Sequence, residues 1–117
     1  MPFTTSYKQG DVVLVPFPFT DLTATKQRPA LVISSDALNA RSSDAVLLAI
    51  TSQIPATFQP EEFLIPAIDQ RACGLPKASL IKLTKVITLH QSLFLKRLGA
   101  LPSATLARVL SRFHQQF

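Results

Sequence analysis

Short apolar runs, each bounded by glycine, proline or polar residues, divide the first half of the chain. Residues 11–15, 28–33 and 45–50 are runs of this kind, built largely from valine, leucine, isoleucine and alanine. They are too short for buried helices, and their β-branched content favours strands. We therefore predict three strands, which we expect to be antiparallel neighbours because strands that follow one another in the chain usually pair.

The second half of the chain continues this pattern with weaker signals. Residues 62–65 alternate only weakly and predict an edge strand, and a proline ends it. Residues 79–83 and 86–89 predict two closing strands after a turn. Several short strands of this kind predict a mostly β fold built around a small, curled antiparallel sheet.

Helical signals are few. Ser35 or Asp36 can cap a short helical turn that extends to about Arg41, and residues 93–98 predict one helical turn that ends at Gly99. A C-terminal amphipathic helix is predicted by apolar residues that recur at helical spacing: Leu106, Val109, Leu110, Phe113 and Phe117.

Length and hydropathy set the class of protein. With 117 residues, the chain is expected to form a single domain over residues 1–117. No apolar run approaches the roughly 20 residues that cross a bilayer, and no basic-then-apolar leader precedes the first strand. We expect a soluble, cytoplasmic protein without membrane association.

Charge and cysteine content narrow the chemistry. The net charge is +5, from twelve Lys and Arg against seven acidic residues, which favours a polyanionic partner without identifying one. Cys73 is the single cysteine, and His90 and His114 are the two histidines. This set forms no plausible cluster of soft metal ligands, so we expect chemistry without a metal.

The connection between the first two predicted strands carries the clearest functional signal. Residues 16–27 contain two prolines, Asp21 and several threonines, and predict a surface loop. Arg28 follows, and Pro29 holds its backbone extended. If the first three strands are antiparallel neighbours, this loop, Arg28 and the end of the third strand share one edge. That edge would gather further polar residues: Thr51, Ser52, Gln53, Lys77 and Ser79.

These residue types suit cleavage of RNA. Cleavage without a metal uses the 2′-hydroxyl as an internal nucleophile, so the protein must orient the phosphate and offset its developing charge. Arg28 can hold two phosphate oxygens at once, and its charge does not titrate. Thr51 can donate a hydrogen bond to the phosphate, although threonine is also an ordinary strand residue. Phe17 and Phe19 either stack on bases or anchor the loop, and we favour anchoring.

The stretch from residue 10 to residue 35 resembles the opening motif of the MazF/PemK family of toxin ribonucleases. A Gly-Asp strand start, a long loop and an Arg-Pro-Ala strand start recur there in this order, and the similarity extends to residues 34–39, 75–79 and 98–99. The resemblance implies a small SH3-like barrel of the CcdB/MazF type with a C-terminal α-helix. It also implies a metal-independent endoribonuclease toxin of a type II toxin–antitoxin system, without a cofactor.

The same resemblance implies a product and partners. Such toxins cleave single-stranded RNA to 2′,3′-cyclic phosphate and 5′-hydroxyl ends, form homodimers and are held inactive by a cognate antitoxin. The arginine and threonine implicated in the family fall on Arg28 and Thr51, which are the predicted catalytic residues. The predicted RNA-binding residues are Lys26, Gln27, Ser52, Gln53, Lys77 and Lys82.

One element departs from the family pattern. Some relatives carry Arg-x-Asp-Gln where this chain has Lys-Leu-Thr-Lys at residues 82–85, so Thr84 stands in place of a carboxylate. Either proton transfer differs here, or activity is reduced. Asp21 is a candidate base, and His90 is another if it reaches the edge, whereas we expect Asp11 to be fixed at a strand start.

Two other functions stay open. One is a non-catalytic toxin on the same barrel, comparable to the CcdB poisons of DNA gyrase. The other is a degenerate relative that only binds RNA or antitoxin, which the missing Asp-Gln element favours.

Overall fold

A computed structural model describes residues 6–18 and 25–117. The strands are β1 (Asp11–Pro18), β2 (Thr25–Val32), β3 (Asp44–Thr51), β4 (Glu62–Leu64), β5 (Leu80–His90) and β6 (Lys96–Ala100). The helices are α1 (Asp36–Arg41) and α2 (Ser103–Gln115), and two 3₁₀ turns cover Ala67–Asp69 and Gln91–Leu93. No helix in these described ranges is both long enough and apolar enough to cross a membrane.

The strands form one antiparallel sheet in the order β4-β5-β3-β2-β1-β6. The predictions of a mostly β fold and of β1, β2 and β3 as sequential neighbours are confirmed. The predicted edge strand is also confirmed, because β4 pairs only with β5. Arg112 of α2 donates from Nη2 to the carbonyl oxygens of Pro60 (2.7 Å) and Glu62 (3.0 Å), which satisfies part of this otherwise unpaired edge.

The connection between β4 and β5 brings the two edges of the sheet together. The amide of Ala100 in β6 donates to the carbonyl of Ala72 at 2.9 Å. Gly99 lies so close to this connection that a Cβ atom there would be 2.2 Å from the Ala72 oxygen. The sheet thus curls into the barrel-like form that was predicted, although its last contact is made by an irregular segment.

Two elements differ from the sequence prediction. The two predicted closing strands are one strand, β5, whose pairing with β3 shifts register between Ala49↔Lys82 and Leu48↔Val86. The prediction of a helical turn over residues 93–98 was wrong, because the latter part of that segment pairs with β1 as β6. Lys-Arg-Leu-Gly-Ala carries little strand propensity, and pairing with β1 decides its conformation.

The predicted loop of residues 16–27 is shorter than expected. β1 and β2 stay paired through Pro16↔Gln27, Phe17↔Lys26 and Pro18↔Thr25. β6 covers β1 only between Asp11 and Leu14, so both prolines lie where the other side of β1 has no strand neighbour. Phe17 is buried among core residues of β1, β2 and β3, which excludes it as an exposed platform for bases.

The side chains of the sheet form two hydrophobic clusters. The first contains Leu31, Leu48 and Ile81 and is covered by α2, whose Val109 is fully buried. The predicted amphipathic helix is therefore confirmed. The second cluster uses the alternate positions of the same strands and includes Phe94, whose ring lies 4.7 Å from that of Tyr7.

Polar contacts fix the end of the sheet at which β1 begins and β2 ends. The side chain of Ser35 accepts from the amide of Leu38 and caps α1, as predicted. Asp11 is buried at the start of β1, where its carboxylate accepts from the amide of Lys8 (2.9 Å) and from Arg97 Nε (3.0 Å). Its predicted structural role is confirmed.

Candidate active site

A pocket of about 400 Å³ opens where the ends of β1 and β3 meet the starts of β2 and β6. The connection between β4 and β5 supplies a further wall. The lining residues are Leu14, Arg28, Pro29, Ile50, Thr51, Ser52, Gly74, Leu75, Pro76, Lys77, Ser79, Lys96 and Leu98. We call it the Arg28–Thr51 pocket.

One row of side chains across four strands underlies this pocket. Leu14 of β1 pairs with Pro29 of β2 on one side and with Lys96 of β6 on the other. Continuing the register of Ala30↔Ala49 by one residue places Ile50 of β3 beside Pro29. Directly paired residues share a face of the sheet, so the row provides an apolar floor with a cation at its β6 end.

Arg28 and Thr51 stand in the next row, whose side chains leave the sheet on the other face, and both residues still line the pocket at this open end. Each lies two residues beyond the pair Ala30↔Ala49, so the register brings them to neighbouring positions on adjacent strands. Both are half-buried. The predicted meeting of this guanidinium and this hydroxyl at one open pocket is what the structure shows, whereas their catalytic roles stay a prediction.

A local turn orients the hydroxyl of Thr51. The amide of Gln53 donates to Thr51 Oγ1 at 3.1 Å, in a turn that hydroxyl side chains favour. Because this bond uses an acceptor position, the hydroxyl proton is left to donate to an anion in the pocket.

The wall formed by residues 74–79 is held by contacts of its own backbone. Gly74 adopts a φ of +69°, and a Cβ atom there would be 2.0 Å from the carbonyl oxygen of Leu98. The amide of Leu75 donates to the carbonyl of Gln70, and Gln70 Nε2 donates to the carbonyl of Leu75 at 3.2 Å. Ser79 Oγ donates to the carbonyl of Lys77 at 3.0 Å. These contacts fix where Lys77 enters the pocket.

The described residues that line the pocket carry charge of one sign. Arg28, Lys77 and Lys96 line it, and its described lining residues include no Asp, Glu or His. An anion entering here would meet cations from three separate segments and an apolar floor, which suits a phosphate joined to a sugar and base. The sequence prediction missed Lys96, because it assigned that segment to a helical turn.

Only some of the predicted RNA-binding residues line the pocket. Ser52 and Lys77 line the pocket, whereas Lys26, Gln27 and Gln53 are exposed at its margin, on the first residues of β2 and just after β3. Lys82 of β5 pairs with Ala49 and is half-buried. It therefore shares a face with Thr51 at a diagonal spacing of about 7–8 Å.

None of the candidate proton-transfer groups among the described residues lines the pocket. Asp21, like Phe19, is outside the described residues. His90 pairs with Asp44 at the opposite end of β3 from Thr51, so it does not reach the pocket of its own chain. Thr84 is exposed at the irregular part of β5 and does not line the pocket.

Cys73 lies directly before the wall segment but offers no nucleophile. It is fully buried, and burial, followed by the nearby Asp69 carboxylate, raises the pKa of its thiol to about 11. Within residues 6–18 and 25–117, no group of three or more His, Cys, Asp or Glu side chains is arranged to hold a metal ion.

The sequence matches a known protein family. Residues 8–117 match the model of PemK-like, MazF-like toxins of type II toxin–antitoxin systems. The chain is 33% identical over 85 residues to endoribonuclease MazF2 of Mycobacterium bovis, an alignment that covers 72% of each chain. Endoribonuclease MazF6 of Mycobacterium tuberculosis matches with the same identity and coverage.

Solved structures share the fold. An endoribonuclease from a mycobacterial species superposes with a TM-score of 0.76 and 18% identity, covering 97% of this chain and 92% of the other. MazF in a MazE–MazF crystal structure from Deinococcus radiodurans superposes with a TM-score of 0.74 and 23% identity, covering 96% of each chain. The family match over nearly the whole chain, the 33% identity and this common fold agree with one another. The chain therefore belongs to the PemK-like, MazF-like toxins of type II toxin–antitoxin systems.

Proposed function

We propose that this protein is an endoribonuclease toxin that cuts single-stranded RNA at the Arg28–Thr51 pocket. The observation that carries the proposal is the placement of these two residues on one open pocket, among whose described lining residues all charged side chains are cations. The relatives named endoribonuclease MazF support the same activity.

The geometry suggests different roles for Arg28 and Thr51 in the cleavage reaction. The RNA 2′-oxygen attacks the adjacent phosphorus, forming the 2′-O–P bond while the P–O5′ bond breaks. The 2′-hydroxyl loses a proton and the leaving 5′-oxygen gains one, which yields a 2′,3′-cyclic phosphate and a 5′-hydroxyl. Arg28 offsets the charge that builds on the non-bridging oxygens, and the Thr51 hydroxyl positions the phosphate by donating to one of them.

The described lining residues of the pocket include no carboxylate or imidazole to carry the two protons. Asp21 stays a candidate base, and it lies outside the described residues. Lys77 and Lys82 place positive charge near the reacting phosphate, and we propose that they bind RNA together with Lys26, Gln27, Ser52 and Gln53.

The family suggests the biological setting. Solved relatives include an endoribonuclease in complex with its cognate antitoxin, and MazE–MazF complexes. We propose that residues 1–117 form one toxin domain, that two copies form a homodimer, and that a cognate antitoxin blocks its RNA site. A toxin that acts on mRNA belongs in the cytoplasm.

Cleavage of RNA by the purified protein in the presence of a chelator tests the activity. We expect wild type to cut a long single-stranded RNA, Arg28→Ala to lower kcat about 100- to 1,000-fold, and Thr51→Ala to lower it about 10- to 100-fold. Arg41→Ala is the matched control, because Arg41 is exposed at the end of α1 and does not line the pocket.

Each outcome distinguishes among the candidate functions. Intact RNA with wild type rejects the nuclease, and RNA binding without cleavage then identifies the degenerate relative. Growth arrest in cells with intact RNA identifies a poison of the CcdB kind. Equal losses for Arg28→Ala and Arg41→Ala would reject the role of Arg28.

A further inference from the structure

Lys96 closes the row of side chains that floors the Arg28–Thr51 pocket. Its direct partner in β1 is Leu14, whose partner in β2 is Pro29, and all three residues line the pocket. Lys96 therefore lines the same pocket as Arg28 and Thr51, and it does so from β6, beyond the apolar residues Leu14 and Pro29.

The neighbouring residue on β6 shows that this placement is specific. Arg97 does not line the pocket, and its guanidinium forms an ion pair with Asp11 at 3.0 Å. In the part of the chain that the structure describes, Lys96 has no ion-pair partner, and its side chain is exposed. Of these two adjacent cations on β6, Arg97 forms an ion pair within the fold, whereas Lys96 lines the pocket and is available to a ligand.

The spacing between strands sets the distance between Lys96 and Arg28. Neighbouring strands lie about 4.8 Å apart, so the backbone of Lys96 is two spacings, or roughly 10 Å, from that of Arg28. Between them lie Leu14 and Pro29, which are apolar. A phosphate at Arg28 and Thr51 would leave the next nucleoside on this apolar floor and a second phosphate beside Lys96.

We infer that Lys96 binds a phosphate of the RNA strand adjacent to the one that is cut, and that it contributes to substrate binding and not to the chemical step. This inference rests on the proposed function of the pocket. A flanking phosphate keeps its charge throughout the reaction, so a contact to it stabilises ground state and transition state equally.

Binding and cleavage measured side by side test this assignment. The binding probe is a labelled, mixed-sequence 2′-deoxy oligonucleotide, which lacks the attacking hydroxyl, and fluorescence anisotropy is recorded over a range of salt concentrations. The variants are Lys96→Gln and Lys96→Arg. Lys8→Gln is the matched control, because Lys8 is exposed outside the pocket and uses its backbone amide, not its side chain, to bind Asp11.

We expect Lys96→Gln to weaken binding of the probe about three- to tenfold at low salt. The slope of log K against log salt should become shallower by about 0.7, the value for one phosphate contact on a single strand. In the cleavage assay Lys96→Gln should raise KM and leave kcat within about twofold of wild type. Lys96→Arg should restore the slope.

Two results would overturn the assignment: equal slopes for Lys96→Gln and Lys8→Gln, or a lowered kcat with unchanged KM. Failure of the proposed function has a different signature. In that case wild type leaves RNA intact, whatever Lys96→Gln does to the binding slope. Matching circular dichroism spectra for the three variants exclude misfolding as the cause of any difference.

Discussion

At the scale of single residues, local chemistry explains why Arg28 and Thr51 are suited to their positions. Pro29 restricts the backbone of Arg28 to extended conformations, which suits its position inside β2. The amide of Gln53 donates to the hydroxyl oxygen of Thr51, which leaves that hydroxyl as a donor. Both effects depend only on neighbouring residues, which is why the motif in the sequence was informative.

Cys73 gives a prediction at the same scale. Its pKa rises from an ordinary value of 9.0 to about 11 in the folded protein, so the folded state holds this proton more tightly than the unfolded chain does. The stability that the thiol contributes is fully present below about pH 9, and it is lost as pH rises through about 11.

Urea unfolding of wild type and Cys73→Ala at several pH values between 8 and 11 measures this effect. We expect the stability advantage of wild type over Cys73→Ala to shrink as pH rises. Groups common to both proteins cancel in the difference. A constant difference across this range would show that the thiol titrates alike in the folded and unfolded states.

At the scale of elements, β6 and the connection after β4 decide the shape of the pocket. β6 supplies Lys96 and Leu98, and the connection supplies Lys77. Neither had a strong signal in the sequence, because β6 is a short segment with little strand propensity and the connection is irregular. Both are held by contacts with distant parts of the chain, which include the bond from the amide of Ala100 to the carbonyl of Ala72.

Gly99→Ala tests the contact between β6 and the connection after β4. An added methyl group would lie 2.2 Å from the Ala72 carbonyl oxygen and 2.6 Å from the Cys73 carbonyl carbon, so the backbone must shift. We expect a loss of about 1–3 kcal/mol in the free energy of unfolding. We also expect a raised KM for RNA, because the shift displaces the wall that carries Lys77.

Gly10→Ala is the comparison. Gly10 has a φ of +96°, and its added methyl group would meet the end of the flexible Leu106 side chain. This variant should also lose stability but keep its KM, because Gly10 does not line the pocket. Equal KM values for the two variants would show that the contact at Gly99 does not position the wall.

At the scale of the whole molecule, the two hydrophobic clusters share the central strands. Leu31 and Leu48 face the cluster under α2, whereas Ala30 and Ala49, their chain neighbours, face the cluster near Tyr7. One sheet that is buried on both faces cannot lose one cluster without exposing strands that support the other. We therefore expect the chain to unfold as one cooperative unit.

The composition offers a direct measurement of this cooperativity. Tyr7 is the single tyrosine and the chain has no tryptophan, so tyrosine fluorescence reports on the second cluster, whereas helical circular dichroism reports largely on α2. The two urea transitions should coincide. Val109→Ala, at a fully buried position of α2, should shift both equally, by about 2 kcal/mol. Separate midpoints would show two independent units.

The sequence by itself determined the local elements and the chemistry. Apolar runs located β1, β2 and β3 within a few residues, helical spacing located α2, and the Arg28–Pro29 and Thr51–Ser52 motifs marked the candidate site. These features depend on backbone propensity and on which side chains must be buried, and both are properties of short segments.

Only the tertiary structure decided what surrounds that chemistry. It turned residues 96–100 into a strand and kept β1 and β2 paired where a longer loop was expected. It also joined the two predicted closing strands into β5 and placed Lys96 in the same pocket as Thr51. The physical reason is that these features arise from hydrogen bonds and contacts between residues far apart in the chain. The free energy of these contacts exceeds the weak secondary-structure propensity of the short segments involved. A pattern of neighbouring residues therefore does not predict them.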